Sequence, residues 1–313
     1  MTNKKRNNLK KNLFLITILA YPIILFVIFY VVVNFNSFLL AFQKMNDDYS
    51  FSFDPEFTNI KNVFNDLFSG SDATLWIATK NSVLRFIIIT GIGMPLNILF
   101  SYYVYTKFAG SKIFKVIVMI PTVISAMLMA LITQRMIYKL PSIFEGFPNL
   151  LTDQQHVFMT TTFYSLWVGF SMALIIYPNQ INAIDKELIE CAQLDGASHL
   201  QIIWHVIIPL LVPTMSTFII TGVAGILSDM GPLYSFFGLE ASRNASLTGY
   251  IIYQLTIKYK KPQYGYVSAL GLFCTLVALP ITLLVKKLMD RIDPMEEHHK
   301  KQRRKKAWVD LRY

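Results

Sequence analysis

The chain has 313 residues, a formal net charge of +10, 54% hydrophobic residues and only 15% charged ones, with a mean hydropathy of +0.44. A water-soluble domain of this length carries about 45–50% apolar and about 25% charged residues, so the composition excludes a soluble globular protein. Cys191 and Cys274 lack the spacing of a metal site or a disulfide framework, and no small-residue cleavage site follows the first apolar stretch, which reads as a retained span.

Six windows lack Asp, Glu, Lys and Arg over the roughly 20 residues needed to cross about 30 Å of hydrocarbon. In chain order they are Asn12–Gln43, Phe86–Thr106, Val116–Gln134, Gln154–Ile184, His205–Ser228 and Pro262–Val285. Each is expected to be a helix, because an isolated span satisfies its backbone hydrogen bonds in lipid in no other way. Pro22, Pro95, Pro121, Pro178, Pro209 and Pro280 predict kinks or helix ends. The fold class is therefore an all-α polytopic membrane protein with six transmembrane helices.

The basic residues set an orientation. With the N-terminus cytoplasmic, 19 Lys and Arg fall on inner segments against eight in the outer loops, leaving Arg85 and Arg135 at span ends, where each is expected to snorkel to the interface. Both termini are thus read as inside. The outer stretch Lys44–Lys80 carries Phe51, Phe53, Phe57, Phe64 and Phe68 and suggests short surface helices. Asp229–Lys261 is punctuated by Gly231, Pro232, Gly238 and Gly249 and carries Arg243, Lys258, Lys260 and Lys261. The basic run Lys300–Lys306 fits anionic headgroups, each charge contributing about 1 kcal/mol, rather than nucleic acid.

One inner stretch breaks the charge pattern. Between spans four and five, Asp185, Glu187, Glu190 and Asp195 face a single Lys186. An acidic loop on a basic inner face suits a specific, basic protein partner. Leu188, Ile189 and Ala192 form an apolar stripe before Gly196, and Ile202, Ile203, Val206 and Ile207 form another after it. This predicts two short helices joined at a glycine that permits a sharp turn.

Glu190-Cys191-Ala192, Gly196, and Val206 to Pro209 together resemble the cytoplasmic "EAA" loop of bacterial ABC importer permeases. Leu194 to Ser198, with Gln201 and Trp204, is similar to the version in the carbohydrate-uptake branch, which includes maltose-type and glycerol-phosphate-type permeases. Phe114 to Pro121, Gly231-Pro232 and Tyr264 to Ala269 resemble flanking family segments, so the likeness covers roughly Trp76–Met289. It implies a type I ABC importer transmembrane fold. Residues 76–289 would be the permease core with its coupling loop at 185–209, preceded by a tail, first span and outer loop at 1–75 and followed by a basic tail at 290–313.

By the same resemblance, Glu190, Cys191, Ala192, Asp195, Gly196 and Ala197 would form the coupling contact with an ATPase subunit. Glu190 would pair with a basic group, Cys191 and Ala192 would pack into a cleft, and Gly196 would make the turn. The family usually has Ala where Cys191 stands, a residue of similar size. The implied partners are ATPase subunits, a second permease (usually a different chain in this branch), an extracellular solute-binding protein, a carbohydrate substrate and the lipids of a bacterial plasma membrane. ATP and Mg²⁺ would belong to the ATPase, because this chain has no G-x-x-x-x-G-K-[ST] phosphate loop; no cofactor is expected in the chain itself, and it is expected not to be an enzyme.

A sugar path needs rings to stack on and polar groups to replace water. Tyr164, Trp167, Phe170 and Ser171 share roughly one face of span four, and Thr217, Thr221 and Gly222 lie in span five. Tyr164, Trp167 and Thr221 are the candidate lining residues. Asn97, in span two, is expected to make an interhelical hydrogen bond. A permease for a non-sugar solute remains an alternative. A secondary transporter is less suited, since the windows hold no charged coupling group, and a receptor or scaffold would need a soluble domain that the loops are too short to form.

Overall fold

The computed structural model describes residues 3–46, 50–68, 73–144, 146–258 and 264–292. The Lys300–Lys306 run, Lys260 and Lys261 lie outside them. Two compact units emerge, one drawn from Met1–Ser69 and Leu255–Phe273, the other from Gly70–Gln254 and Cys274–Tyr313.

In the first unit, α1 (Asn3–Leu25) runs through a π-helical stretch, Phe26–Val32, into α2 (Val33–Ala41). The span Phe14–Ala41 has none of its most apolar window buried within the chain, as suits a helix solvated by lipid, where an apolar surface carries no hydration cost. The Phe-rich stretch is not purely helical as the sequence suggests. Gln43–Met45 (β1) and Phe51–Phe53 (β2) pair as an antiparallel hairpin, and only then does α3 (Thr58–Phe68) begin. Asp54 explains that start, since its carboxylate accepts from Thr58 N at 2.7 Å and Glu56 N at 3.1 Å, satisfying amides that have no intrahelical partner.

In the second unit, α4 (Ala73–Ile88) continues through a π turn, Ile89–Gly93, into α5 (Met94–Tyr105). Then come α6 (Ser111–Val123), α7 (Ala126–Ile143), α8 (Val157–Asn182), α9 (Lys186–Leu194) and α10 (His199–Ile202). A second π turn, Ile203–Ile207, leads into α11 (Ile208–Gly225), followed by α12 (Leu233–Phe237), α13 (Thr248–Lys258) and α14 (Tyr264–Ile292), with residues 255–258 of α13 and 264–273 of α14 belonging to the first unit. Both π turns contain the residue four before a proline, Gly91 for Pro95 and His205 for Pro209. Proline lacks an N–H and clashes with that carbonyl, and a widened turn relieves the clash without ending the helix.

Among the described residues, five helical stretches are long and apolar enough to cross a membrane, and a bent pair makes a sixth when counted as one span. That pair corrects the third window, expected to be one helix. α6 and α7 meet at 107°. Ile124 is extended, and Ser125 caps α7 by accepting from Leu128 N. Pro121 weakens the end of α6, and the cap that Ser125 supplies just beyond Val123 makes a fresh start cheaper than continuation.

Candidate functional site

The acidic inner loop folds as two helices around Gly196. Asp185 caps α9 by accepting from Glu187 N at 3.2 Å. At the other end Gly196 sits at φ +81°, its N–H donates to Gln193 O at 3.0 Å, and Ala197 N–H donates to Ala192 O at 3.0 Å. This pair of bonds is the Schellman closure, which needs a residue comfortable in the left-handed region. Ser198 then caps α10, with the Gln201 side chain returning to the Ser198 N–H at 2.8 Å, a capping box.

The loop is fastened inward and bare outward. Ile189, Ile202, Ile203 and Ile207 join Met94, Ile98 and Tyr102 of α5 and Tyr177 and Ile181 of α8 in one core, with Ala192 and Ala197 half-buried against it. Tyr102 Oη lies 3.0 Å from His199 Nδ1. Glu190, Cys191 and Asp195 are exposed, as are the apolar side chains of Leu194, Leu200 and Trp204, Leu194 by 87%. The outward face thus interleaves carboxylates with large exposed apolar groups.

A cavity of about 480 Å³ opens between α4–α5, α8 and α11. Thr90 and Asn97 face it from the first, Met172 and Tyr177 from the second, Phe218 and Thr221 from the third. Its walls are mainly apolar with a few polar atoms, the usual make-up of a small-molecule pocket. Asn97 Oδ1 is buried with no hydrogen-bond partner among the described residues, so the expected interhelical bond to this oxygen is not made. At one end the Arg85 guanidinium donates to Asp229 Oδ2 at 2.7 Å and to Ser165 Oγ at 3.0 Å. Arg85 therefore does not snorkel: its side chain is 10% exposed and ion-paired within the bundle.

The model of the family described as "Binding-protein-dependent transport system inner membrane component" matches residues 79–296. The chain belongs to this family. Among curated permeases, the multiple sugar-binding transport system permease protein of Streptococcus mutans is 24% identical over 284 residues, covering 88% of this chain and 95% of that protein. The maltodextrin transport system permease protein of Bacillus subtilis is 23% identical over 303 residues, covering 88% and 68%. In fold the chain is similar to a bacterial ABC transporter involved in import of the acidic polysaccharide alginate, with a TM-score of 0.72, 22% identity, and coverage of 93% of this chain and 99% of that one. The chain is thus an ABC-importer permease in fold, a multi-pass membrane component and not an enzyme.

Within this permease the candidate residues separate. All six of the loop, Glu190 to Ala197, stand together around the glycine turn. Of the three proposed path residues, Thr221 is on the cavity wall. Tyr164 and Trp167 are not: Tyr164 is buried edge-on against Phe236, ring centroids 4.8 Å apart, and Trp167 packs beside it at 6.3 Å. Phe170 and Ser171 are also engaged in packing, against Phe100 and the Val118 carbonyl. The cavity-facing stripe of α8 runs through Ser165, Gly169, Met172 and Ile176, a face that sequence reasoning did not single out. That reasoning also missed the Arg85–Asp229 pair. The available signal was an arginine and an aspartate bordering two otherwise charge-free windows.

Proposed function

We propose that the chain forms half of the translocation pathway of an ATP-driven, binding-protein-dependent importer of sugars or oligosaccharides in a bacterial plasma membrane. The energy enters through separate ATPase subunits that hold ATP and Mg²⁺, and a second permease chain completes the path. A solute-binding protein delivers the sugar from outside, with both termini of this chain in the cytoplasm. The sugar assignment is supported by the relatives, named for multiple sugars and for maltodextrin.

The observation that carries the reading is the loop at 185–209. It is rigid by construction, with a Schellman closure and a capping box, and its apolar side is continuous with the core of α5, α8 and α11. A push on its exposed face is therefore passed to three membrane helices as one body, since a close-packed core transmits displacement. Glu190 on that face suits a basic group of the ATPase, a charged hydrogen bond contributing about 1.5–3 kcal/mol. Thr221 and Asn97, on the cavity wall, offer polar atoms to replace water on sugar hydroxyls.

Glu190→Lys is the test, because it reverses a charge on an exposed side chain and touches nothing in the core. Sugar uptake and solute-stimulated ATP hydrolysis by the reconstituted complex should fall by about tenfold or more, matching the loss of a contact of about 1.4 kcal/mol, with thermal melting unchanged. Uptake and hydrolysis equal to the unmutated complex would remove the loop from the coupling role.

A further inference from the structure

The segment between α11 and α13 has the look of a loop in sequence, yet it is held at several points by side chains of one membrane helix. From α4, Asn81 Nδ2 donates to the carbonyls of Asn244 and Ser246 at 2.8 and 3.1 Å. Ser82 Oγ accepts from Thr248 N at 3.0 Å, and Thr248 Oγ1 donates to Thr79 Oγ1 at 3.3 Å. One turn on, Arg85 holds Asp229, whose other oxygen accepts from Gly231 N at 2.8 Å. Further fixings come from α7, where Gln134 donates to Phe236 O at 2.6 Å, and from Tyr250, whose hydroxyl donates to Gly238 O and accepts from Ala241 N, both at 3.0 Å.

A column of polar side chains on a membrane helix is costly facing lipid, so Asn81, Ser82 and Arg85 have a use that repays their placement, and that use is to seat this segment. Surface loops are ordinarily mobile; this one is pinned at both ends. It also lies far from the acidic loop, because Arg85 and Tyr102 are separated by nearly five helical turns, about 25 Å at 1.5 Å per residue. Tyr234, Glu240, Arg243 and Asn244 are exposed on it.

We propose that Arg85 is a positioning residue that fixes the segment 229–248 as a preformed receiving surface for the solute-binding protein. This rests on the function proposed above, in which that segment is extracytoplasmic and such a protein delivers the solute. Arg85 acts through Asp229 and Ser165 at one end of the cavity and is not itself on the receiving surface. Fixing the segment beforehand removes ordering cost from each docking event, which strengthens association without new contacts.

The test uses the full transporter and the extracytoplasmic protein found to raise its ATPase rate. Arg85→Met leaves Asp229, 57% exposed, free to hydrate. The concentration of binding protein giving half-maximal stimulation should rise by about tenfold, equivalent to about 1.4 kcal/mol, and by more than any fall in the maximal rate. Arg85→Lys, which keeps one bond to Asp229, should give a smaller rise and guards against misfolding of the Met variant. Adding Ser82→Cys and Thr248→Cys, whose parent hydroxyls are 3.4 Å apart, should staple the segment to α4 and restore most of the loss, and dithiothreitol should abolish the rescue. A formed staple that rescues nothing, an unchanged half-stimulating concentration in both Arg85 variants, or a staple that inhibits the otherwise unmutated complex would each overturn the positioning role. An unmutated complex that no extracytoplasmic protein stimulates would instead overturn the proposed function, and this inference with it.

Discussion

Gly196 is the place where backbone geometry alone makes a quantitative demand. Its φ is +81°, and a Cβ built on it would meet nothing within 4 Å. A substitution there has no steric cost inside the chain, and what remains is the left-handed backbone, about 1–2 kcal/mol for an L-residue. A change of that size shifts a local equilibrium by about 5–30-fold, away from the closure that aligns α9 and α10. Asparagine tolerates this region better than alanine, and a β-branched residue worse. Proline is worse again, because it fixes φ near −65° and deletes the N–H that bonds to Gln193 O. The expected order of loss in uptake and solute-stimulated ATP hydrolysis is Asn, then Ala, then Val, then Pro, measured in proteoliposomes with melting temperature as the folding control. If a docked partner pressed on the glycine itself, size would govern instead, and Asn would be worse than Ala. That inversion, or a Val variant with unimpaired coupling, would refute the backbone argument.

Three further outcomes follow from local contacts. Tyr102→Phe removes only the hydroxyl 3.0 Å from His199 Nδ1; at about 1 kcal/mol it should loosen the loop from α5 and lower the solute moved per ATP hydrolysed, with little change in melting. Gly222→Ala places a Cβ 2.8 Å from Phe86 Cε2. The ring must swing aside, so a stability loss of about 1–3 kcal/mol and slower uptake are expected, whereas Gly225→Ala, with nothing within 4 Å, should be silent in the same melting assay. Asp54 has its carboxyl held below the ordinary carboxylate range, chiefly by the Thr58 N–H, with the Glu56 N–H adding to it. A depressed folded pKa stabilises the start of α3 above the ordinary value of about 3.9 and loses that contribution as pH falls through the lowered value. Protection of the Thr58 amide against hydrogen exchange, taken relative to its intrinsic pH-dependent rate, should therefore be flat from neutral pH down to that range and fall only in stronger acid; Asp54→Asn should remove the acid step.

The sequence locates spans well because a bilayer enforces long charge-free windows, and the loop around Gly196 is equally legible because caps are local. Asp185, Gly196 and Ser198 with Gln201 each act within a few residues of themselves. The bend between α6 and α7 is harder to read, since Pro121 looks like Pro95 and Pro209, which are accommodated by widened turns. What differs is Ser125, placed to start another helix. Arg85 is misplaced for a different reason: a window that begins after it treats it as a boundary, while the helix begins at Ala73 and its partner is 144 positions away.

The faces of α8 pose the deepest difficulty. In water, an apolar stripe says which way a helix faces; in a bilayer, lipid is as apolar as the protein interior, and the stripe vanishes. Tyr164 and Trp167 have the chemistry of a sugar path, yet Tyr164 turns toward Phe236 and Trp167 packs beside Tyr164. Polar atoms then become the informative ones, read by who satisfies them. Asn81, Ser82 and Arg85 find partners on the segment they seat, although Arg85 Nε is buried without one among the described residues. Asn97 Oδ1 is buried on the cavity wall with no partner among the described residues. An acceptor kept in that state costs about 1–3 kcal/mol, a cost that a passing hydroxyl would remove, and this marks Asn97 rather than the aromatic pair as the residue of span two or four to follow into the transport path.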